Sequence, residues 1–299
     1  MNEWYSADPK SFATSREMEF FLRQFGPETG RYLMSLPADW RQSVVKGFPP
    51  ESLERKRAVD AIGRALQRGV LFSSASVPEA QDHKSWIALA KDYFLSKPTL
   101  IEAYIARTSE LSTTALPDSM PAVSYDDFHL APSAQETIKA QPAEFARISE
   151  RLVNMAHEIV LVDPYLDLNR DDNYSVVSEM LSKRAASRPT TVDFWVRASE
   201  VSPRKEIEER ARELQGLKDG KGELSIVVRA VDDARAADRL HARYLLTSRG
   251  AIMVDQGFQR LNRGRTTPVS PVVSTALSDL QTKFIARQND LKVIWSIAL

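Results

Sequence analysis

Over the first 120 positions, apolar residues recur at spacings of three and four, the period of one helix face, and no stretch alternates cleanly with a period of two. Met18, Phe21, Leu22 and Phe25 form one stripe, closed by Gly26-Pro27. Leu53, Val59, Ile62 and Leu66 predict a second helix that begins after Pro49-Pro50, with Glu51 and Ser52 at its first turn, and ends at Gly69. Trp86, Leu89, Ala90, Tyr93 and Phe94 predict a third that stops before Pro98, and Thr99, Ile101, Tyr104 and Ile105 a fourth. From Leu116 to Pro142 the pattern dissolves among Pro117, Asp118, Pro121, Asp126, Asp127 and Pro132, as in a linker or surface loop.

Beyond that stretch the texture changes. Phe145, Ile148, Leu152 and Met155 predict a helix, and the unbroken apolar run Ile159-Val160-Leu161-Val162 suits a strand buried on both faces. Asp163-Pro164-Tyr165 ends that run. Next come a helix bearing Val176, Val177, Met180 and Leu181, a strand at Val192 to Val196, and a helix with Ile207, Arg210, Leu214 and Leu217 that opens at Ser202-Pro203. Strands are expected at Leu224 to Arg229, Leu240 to Thr247 and Ala251 to Val254, the last two joined by a tight Ser248-Arg249-Gly250 turn. A helix with Leu277, Leu280, Phe284 and Arg287 and a strand at Val293 to Trp295 close the chain. Alternating strands and helices define an α/β layered domain with a mixed sheet. The expected organisation is a mostly helical N-terminal domain at 1–115, a linker at 116–142 and an α/β domain at 143–299, in keeping with roughly 150 residues per domain.

Composition narrows the chemistry. The chain has no cysteine, which excludes disulfides, thiolate metal sites and cysteine nucleophiles, and points to the cytoplasm. Its four histidines are His83, His129, His157 and His241. Forty basic residues balance forty acidic ones, so a nucleic-acid surface would have to be local. No apolar run reaches the roughly 20 residues that span a bilayer, and no membrane association is expected. A phosphate loop ending in Gly-Lys-Ser/Thr is absent. So is the carboxylate-x-Lys pattern of a metal nuclease, because Trp195 and Ser202 stand two residues after Asp193 and Glu200. No metal and no cofactor is expected.

The informative stretch is His241-Ala242-Arg243. On a strand these two side chains would share one face, about 7 Å apart at 3.3 Å per residue, with Leu245 and Thr247 beside them. A guanidinium fork matches phosphate oxygens, and a neutral imidazole can attack phosphorus or carry a proton. Asp163, at the end of the first apolar strand, lies where open α/β sheets place ligands. Arg260, Arg263 and Arg265 form a basic loop after the hairpin. Arg55, Lys56, Arg57, Arg64 and Arg68 form a basic helix face, either a phosphate contact surface or simply a solvated one.

The histidine strand, the order of elements over about 143–299 and the Asp163-Pro164-Tyr165 loop resemble the phospholipase D superfamily, whose signature is His-x-Lys, an Asp four residues after the Lys, and a Gly-Ser pair. Here Arg243 replaces the Lys, Ser248, with four residues intervening, stands where the Asp is usual, and Asp255-Gln256, followed by Gly257, stands at the Gly-Ser pair; one copy of the motif is present. The resemblance implies a metal-independent phosphodiesterase acting through a phosphohistidine, with His241 as nucleophile or general acid and Arg243 steadying phosphoryl oxygens. Asp163 and Ser248 would orient, Arg249, Arg260 and Arg263 would hold phosphate, and a homodimer would bring two His241 rings together. The class of activity implied is a nuclease in DNA processing or anti-phage defence. The departures from the signature favour another class: a non-cleaving nucleic-acid-binding or scaffold subunit that works with a separately encoded ATPase or nuclease.

Overall fold

The computed structural model describes residues 3–26, 29–72, 85–97, 100–128, 135–184, 189–216, 223–234, 239–262, 264–272 and 274–299. The chain divides into two compact units, Glu3–Pro132 and Ser133–Leu299.

In the first unit the elements are β1 (Glu3–Ala7), α1 (Ser15–Leu22), β2 (Arg31–Met34), α2 (Trp40–Lys46), α3 (Leu53–Gln67), β3 (Leu71–Phe72), α4 (Trp86–Ser96), β4 (Ala103–Ala106), α5 (Thr108–Leu111) and β5 (Ala122–Ser124). The strands form a parallel sheet in the order β3-β2-β1-β4-β5. The expected mostly helical domain is therefore corrected to an α/β unit, and the helix expected around Tyr104 and Ile105 is β4. The reason is burial on both faces. Trp4 to Ala7, Arg31 to Met34 and Ala103 to Ala106 are all buried, so none of these short strands alternates apolar with polar. The expected linker is also corrected, because β5 completes this sheet and β6 (Glu136–Lys139) joins the next one.

Helix α3 is capped by Ser52 Oγ, which accepts from Arg55 N at 3.1 Å. Its core face is Ala58, Ala61, Ile62 and Ala65, packed into one cluster with Met18, Phe21 and Leu22 of α1. The expected core stripe is wrong for three of its four residues, since Leu53, Val59 and Leu66 are 60%, 50% and 38% exposed. Small alanines let the helix backbone approach its neighbour closely, and the larger side chains stand on the adjoining faces.

The second unit continues with α6 (Pro142–Met155), β7 (Glu158–Val162), α7 (Asp171–Leu181), β8 (Thr190–Arg197), α8 (Arg204–Gln215), β9 (Leu224–Asp232), β10 (Tyr244–Thr247), β11 (Ala251–Val254), β12 (Thr266–Val272), α9 (Ser274–Leu280) and β13 (Lys292–Ala298). Its mixed sheet runs β13-β9-β8-β7-β10-β11-β12-β6. Strands β7, β8 and β9 are parallel, and β10 is antiparallel to β7. The α/β class and mixed sheet expected here are present. Val160, Val162, Trp195 and Leu246 meet Leu277 of α9 and Phe284 of the π-helical turn Gln281–Ile285 in one apolar cluster, with the Trp195 and Phe284 rings 5.5 Å apart. Among the described residues no helix is long and apolar enough to cross a membrane.

Candidate phosphate-binding site

The sheet register builds the site. Tyr244 pairs with Val162 on one side and Met253 on the other, so the start of β10 lies beside the carboxyl end of β7 and the end of β11. Arg243, one residue before β10, thereby meets Asp163, one residue after β7, while the Val254 amide donates to the Arg243 carbonyl at 2.9 Å.

Asp163 is buried at the centre. Its Oδ1 accepts from the Tyr165 amide at 2.9 Å, its Oδ2 accepts from the Phe258 amide at 3.1 Å, and Arg243 Nε stands 3.8 Å from Oδ1. Burial pushes its pKa above the ordinary carboxyl value, and the two amides and Arg243 pull the other way. The Arg243 guanidinium is held from three directions: by Asp163, by the Asp255 carbonyl, to which Nη1 donates at 2.6 Å, and by the Tyr165 ring, whose centroid is 5.3 Å from Cζ. Arg197 also reaches the Tyr165 ring, at 5.8 Å.

Asp163, Tyr165, Arg170, Asn173, Arg243, Gln256 and Gln259 line a polar cavity of about 320 Å³. Arg170 is exposed, and among the described residues no carboxylate pairs with it. The segment Asp255 to Arg260, which gives Gln256 and Gln259 to the lining, is tied to the first turn of α7. Asn173 Nδ2 donates to the Phe258 carbonyl at 2.9 Å, and Arg260 reaches Asp172 through both its amide and its guanidinium, each at 2.9 Å. The site can therefore present the guanidiniums of Arg170 and Arg243 and the side-chain amides of Gln256 and Gln259 to an anion.

The histidine strand differs from expectation. The ladder begins at Tyr244, so His241 and Arg243 are not alternating strand residues on a common face. Arg197 and Asp233 fix the segment before it: they form a bidentate pair at 3.0 and 2.9 Å, Arg197 also donates to the Leu240 carbonyl at 3.0 Å, and Asp233 accepts from the Leu240 amide at 3.0 Å. His241 then projects as an exposed residue, outside the cavity lining and without a hydrogen-bonding partner among the described residues.

Of the residues singled out from sequence, the structure brings Asp163 and Arg243 together, while Arg260 is outside the cavity lining and its guanidinium is paired with Asp172. Ser248 and Arg249 are elsewhere. They sit in the turn at the other end of β10, where Thr247 pairs with Ile159 at the start of β7, about 13 Å of strand away at 3.3 Å per residue. Arg263 lies outside the described residues. Sequence reasoning passed over Arg170, Asn173 and Gln259 as site residues, because only the folded register carries them to Arg243. A further buried carboxylate, Asp193, is taken up by Arg229 Nε at 3.0 Å to both oxygens, with Arg287 at 3.5 Å.

No protein-family model matches the chain. No curated protein matches it either. Among solved structures the chain is similar to that described as "Structure of TrmBL2, an archaeal chromatin protein, shows a novel mode of DNA binding", at 10% identity and a TM-score of 0.30, over 56% of this chain and 57% of that one. The match thus spans little more than half of that protein, and a score of this size does not define a shared fold.

Proposed function

We propose that the C-terminal unit is a phosphodiester-binding module that engages a nucleic-acid backbone at the Arg243 cavity, and that a single chain binds without cutting. One observation carries the reading. Arg243 is immobilised by Asp163, the Asp255 carbonyl and Tyr165 while lining a polar cavity with the carboxylate-free Arg170. A guanidinium has five donor hydrogens, so the one contact to Asp255 leaves others for phosphate oxygens. The resemblance of the sequence to the phospholipase D superfamily supports a phosphodiester as the anion. The exposed His241, outside the lining, supports binding rather than hydrolysis by one chain.

A metal-independent nuclease is the second reading. It rests on His241 being two residues from Arg243 and free of partners among the described residues, so that the ring of a second copy would have to complete the chemistry. The experiment is binding and cleavage of labelled single- and double-stranded DNA and RNA in chelator at several salt concentrations, with wild type, Arg243→Ala and His241→Ala. Salt-sensitive binding that falls about tenfold in Arg243→Ala, persists in His241→Ala and leaves the strands intact supports the module. Cleavage that vanishes in His241→Ala supports the nuclease. Binding that ignores Arg243→Ala, or no binding at low salt, overturns both.

A further inference from the structure

Helices α2 and α3 leave a furrow of about 520 Å³ between them. Its apolar lining is Val45 of α2 with Val59, Ile62 and Leu66 of α3, and Arg41, Lys46 and Arg55 stand around it. With 100° per residue, Arg55, Val59, Ile62, Gly63 and Leu66 fall within one arc of about 100°, rotated away from the alanine face that enters the core. At Gly63 a Cβ would meet nothing within 4 Å, so the furrow is open in the middle of the helix.

The charges around this furrow are uncompensated. Among the described residues Arg41, Lys46 and Arg55 have no carboxylate partner, whereas Arg57 and Arg64 of the same helix face Glu54 and Glu19. An apolar trough between two helices accepts a third helix ridge into groove, and unpaired cations along its sides select acidic flanks. A nucleic-acid backbone would satisfy the cations but leave Val59 and Leu66 in water. We propose that the α2–α3 furrow docks an amphipathic helix of a protein partner, apolar at i, i+4, i+7 and i+11 and bordered by Asp or Glu. The site is independent of the Arg243 cavity, and its failure would leave the phosphate-binding reading untouched.

The test uses the full chain and a labelled synthetic helix of about 16 residues, with leucines at that spacing and glutamates beside them. Fluorescence anisotropy should show saturable binding that weakens with salt. Gly63→Leu fills the trough while favouring the helix, so it should melt no lower than wild type yet bind about tenfold more weakly. The double variant Arg41→Glu, Arg55→Glu should lose the peptide but retain a version whose glutamates are replaced by lysines. Absence of binding, equal binding of the glutamate and lysine peptides to wild type, or indifference to Gly63→Leu overturns the proposal. A concentration-dependent dimer that Gly63→Leu abolishes overturns it in favour of a second copy of the chain, and DNA affinity lost in Gly63→Leu overturns it in favour of a nucleic-acid surface.

Discussion

Gly257 passes so close to Asp163 that a Cβ at 257 would lie 2.7 Å from the carboxylate oxygen Oδ2 and 3.3 Å from Arg243 Cδ. Its φ of +80° is the left-handed region that side chains disfavour. The turn after β11 thus depends on the missing side chain twice. Gly257→Ala is expected to lower stability by about 2 kcal/mol, seen as a lower urea midpoint at constant slope, and to weaken polyanion binding by shifting Asp163 and Arg243. An unchanged midpoint would show that the turn is not held as described.

Tyr165 is 44% exposed and carries two guanidiniums at its ring, those of Arg197 and Arg243. Tyr165→Leu keeps bulk but removes the quadrupole, so Arg243 should lose orientation rather than the fold its core. The expected result is a severalfold loss in DNA affinity with a stability change within about 1 kcal/mol. Titration by anisotropy alongside a thermal melt separates the two effects.

Asp233 is held below the ordinary carboxyl range, first by its hydrogen bond from Arg197. A folded-state pKa below the unfolded one contributes stability that is present above about pH 4 and lost as the pH falls through the folded value. Asp233→Asn should therefore cost about 1–2 kcal/mol at pH 7, leaving Arg197 short of its partner, and progressively less as the pH falls below 4. Amide exchange at Leu240, whose N–H donates to Asp233, should quicken in the variant.

Asp8, directly after β1, shows the opposite sign. It is buried, its Oδ1 accepts from the Lys10 amide at 2.9 Å, and Oδ2 has no hydrogen-bond partner among the described residues. Burial pushes its pKa up to about 6. Since that exceeds the unfolded value, the contribution of Asp8 to stability is fully present below about pH 4 and is lost, by about 3 kcal/mol in all, as the pH rises through 6. Asp8→Asn should flatten this decline and stabilise the protein at neutral pH by about 1–3 kcal/mol. Urea midpoints collected from pH 4 to 8 decide it; a variant that follows the wild-type curve would place the titration on another group.

Legibility followed local chemistry. The runs Ile159–Val162, Val192–Val196 and Leu224–Arg229 read as strands because the first is unbroken apolar sequence and the other two are rich in valine, isoleucine and aromatic residues, and all three are strands of the sheet. The strand Glu3–Ala7 was illegible because a short strand covered on both faces has no alternation to betray it. Thr266–Val272 was hidden by Pro268 and Pro271, residues that ordinarily argue against a strand. On α3, spacing predicted an apolar stripe but chose the wrong face, because three alanines carry the packing and larger side chains dominate a hydrophobicity pattern.

The amino-acid order alone determined the α/β character of residues 143–299, the absence of thiol chemistry, and the choice of Arg243 and Asp163 as residues of interest, since each follows from residue type and local period. Tertiary structure decided which of those residues meet. Arg243 reaches Asp163 because β10 runs antiparallel to β7 in one particular register, Arg249 is excluded because the same strand carries it to the far end, and His241 is turned outward because Asp233 and Arg197 bind the backbone just before it. Contacts between residues dozens of positions apart depend on strand pairing and burial energy summed over the whole unit, which no local pattern encodes.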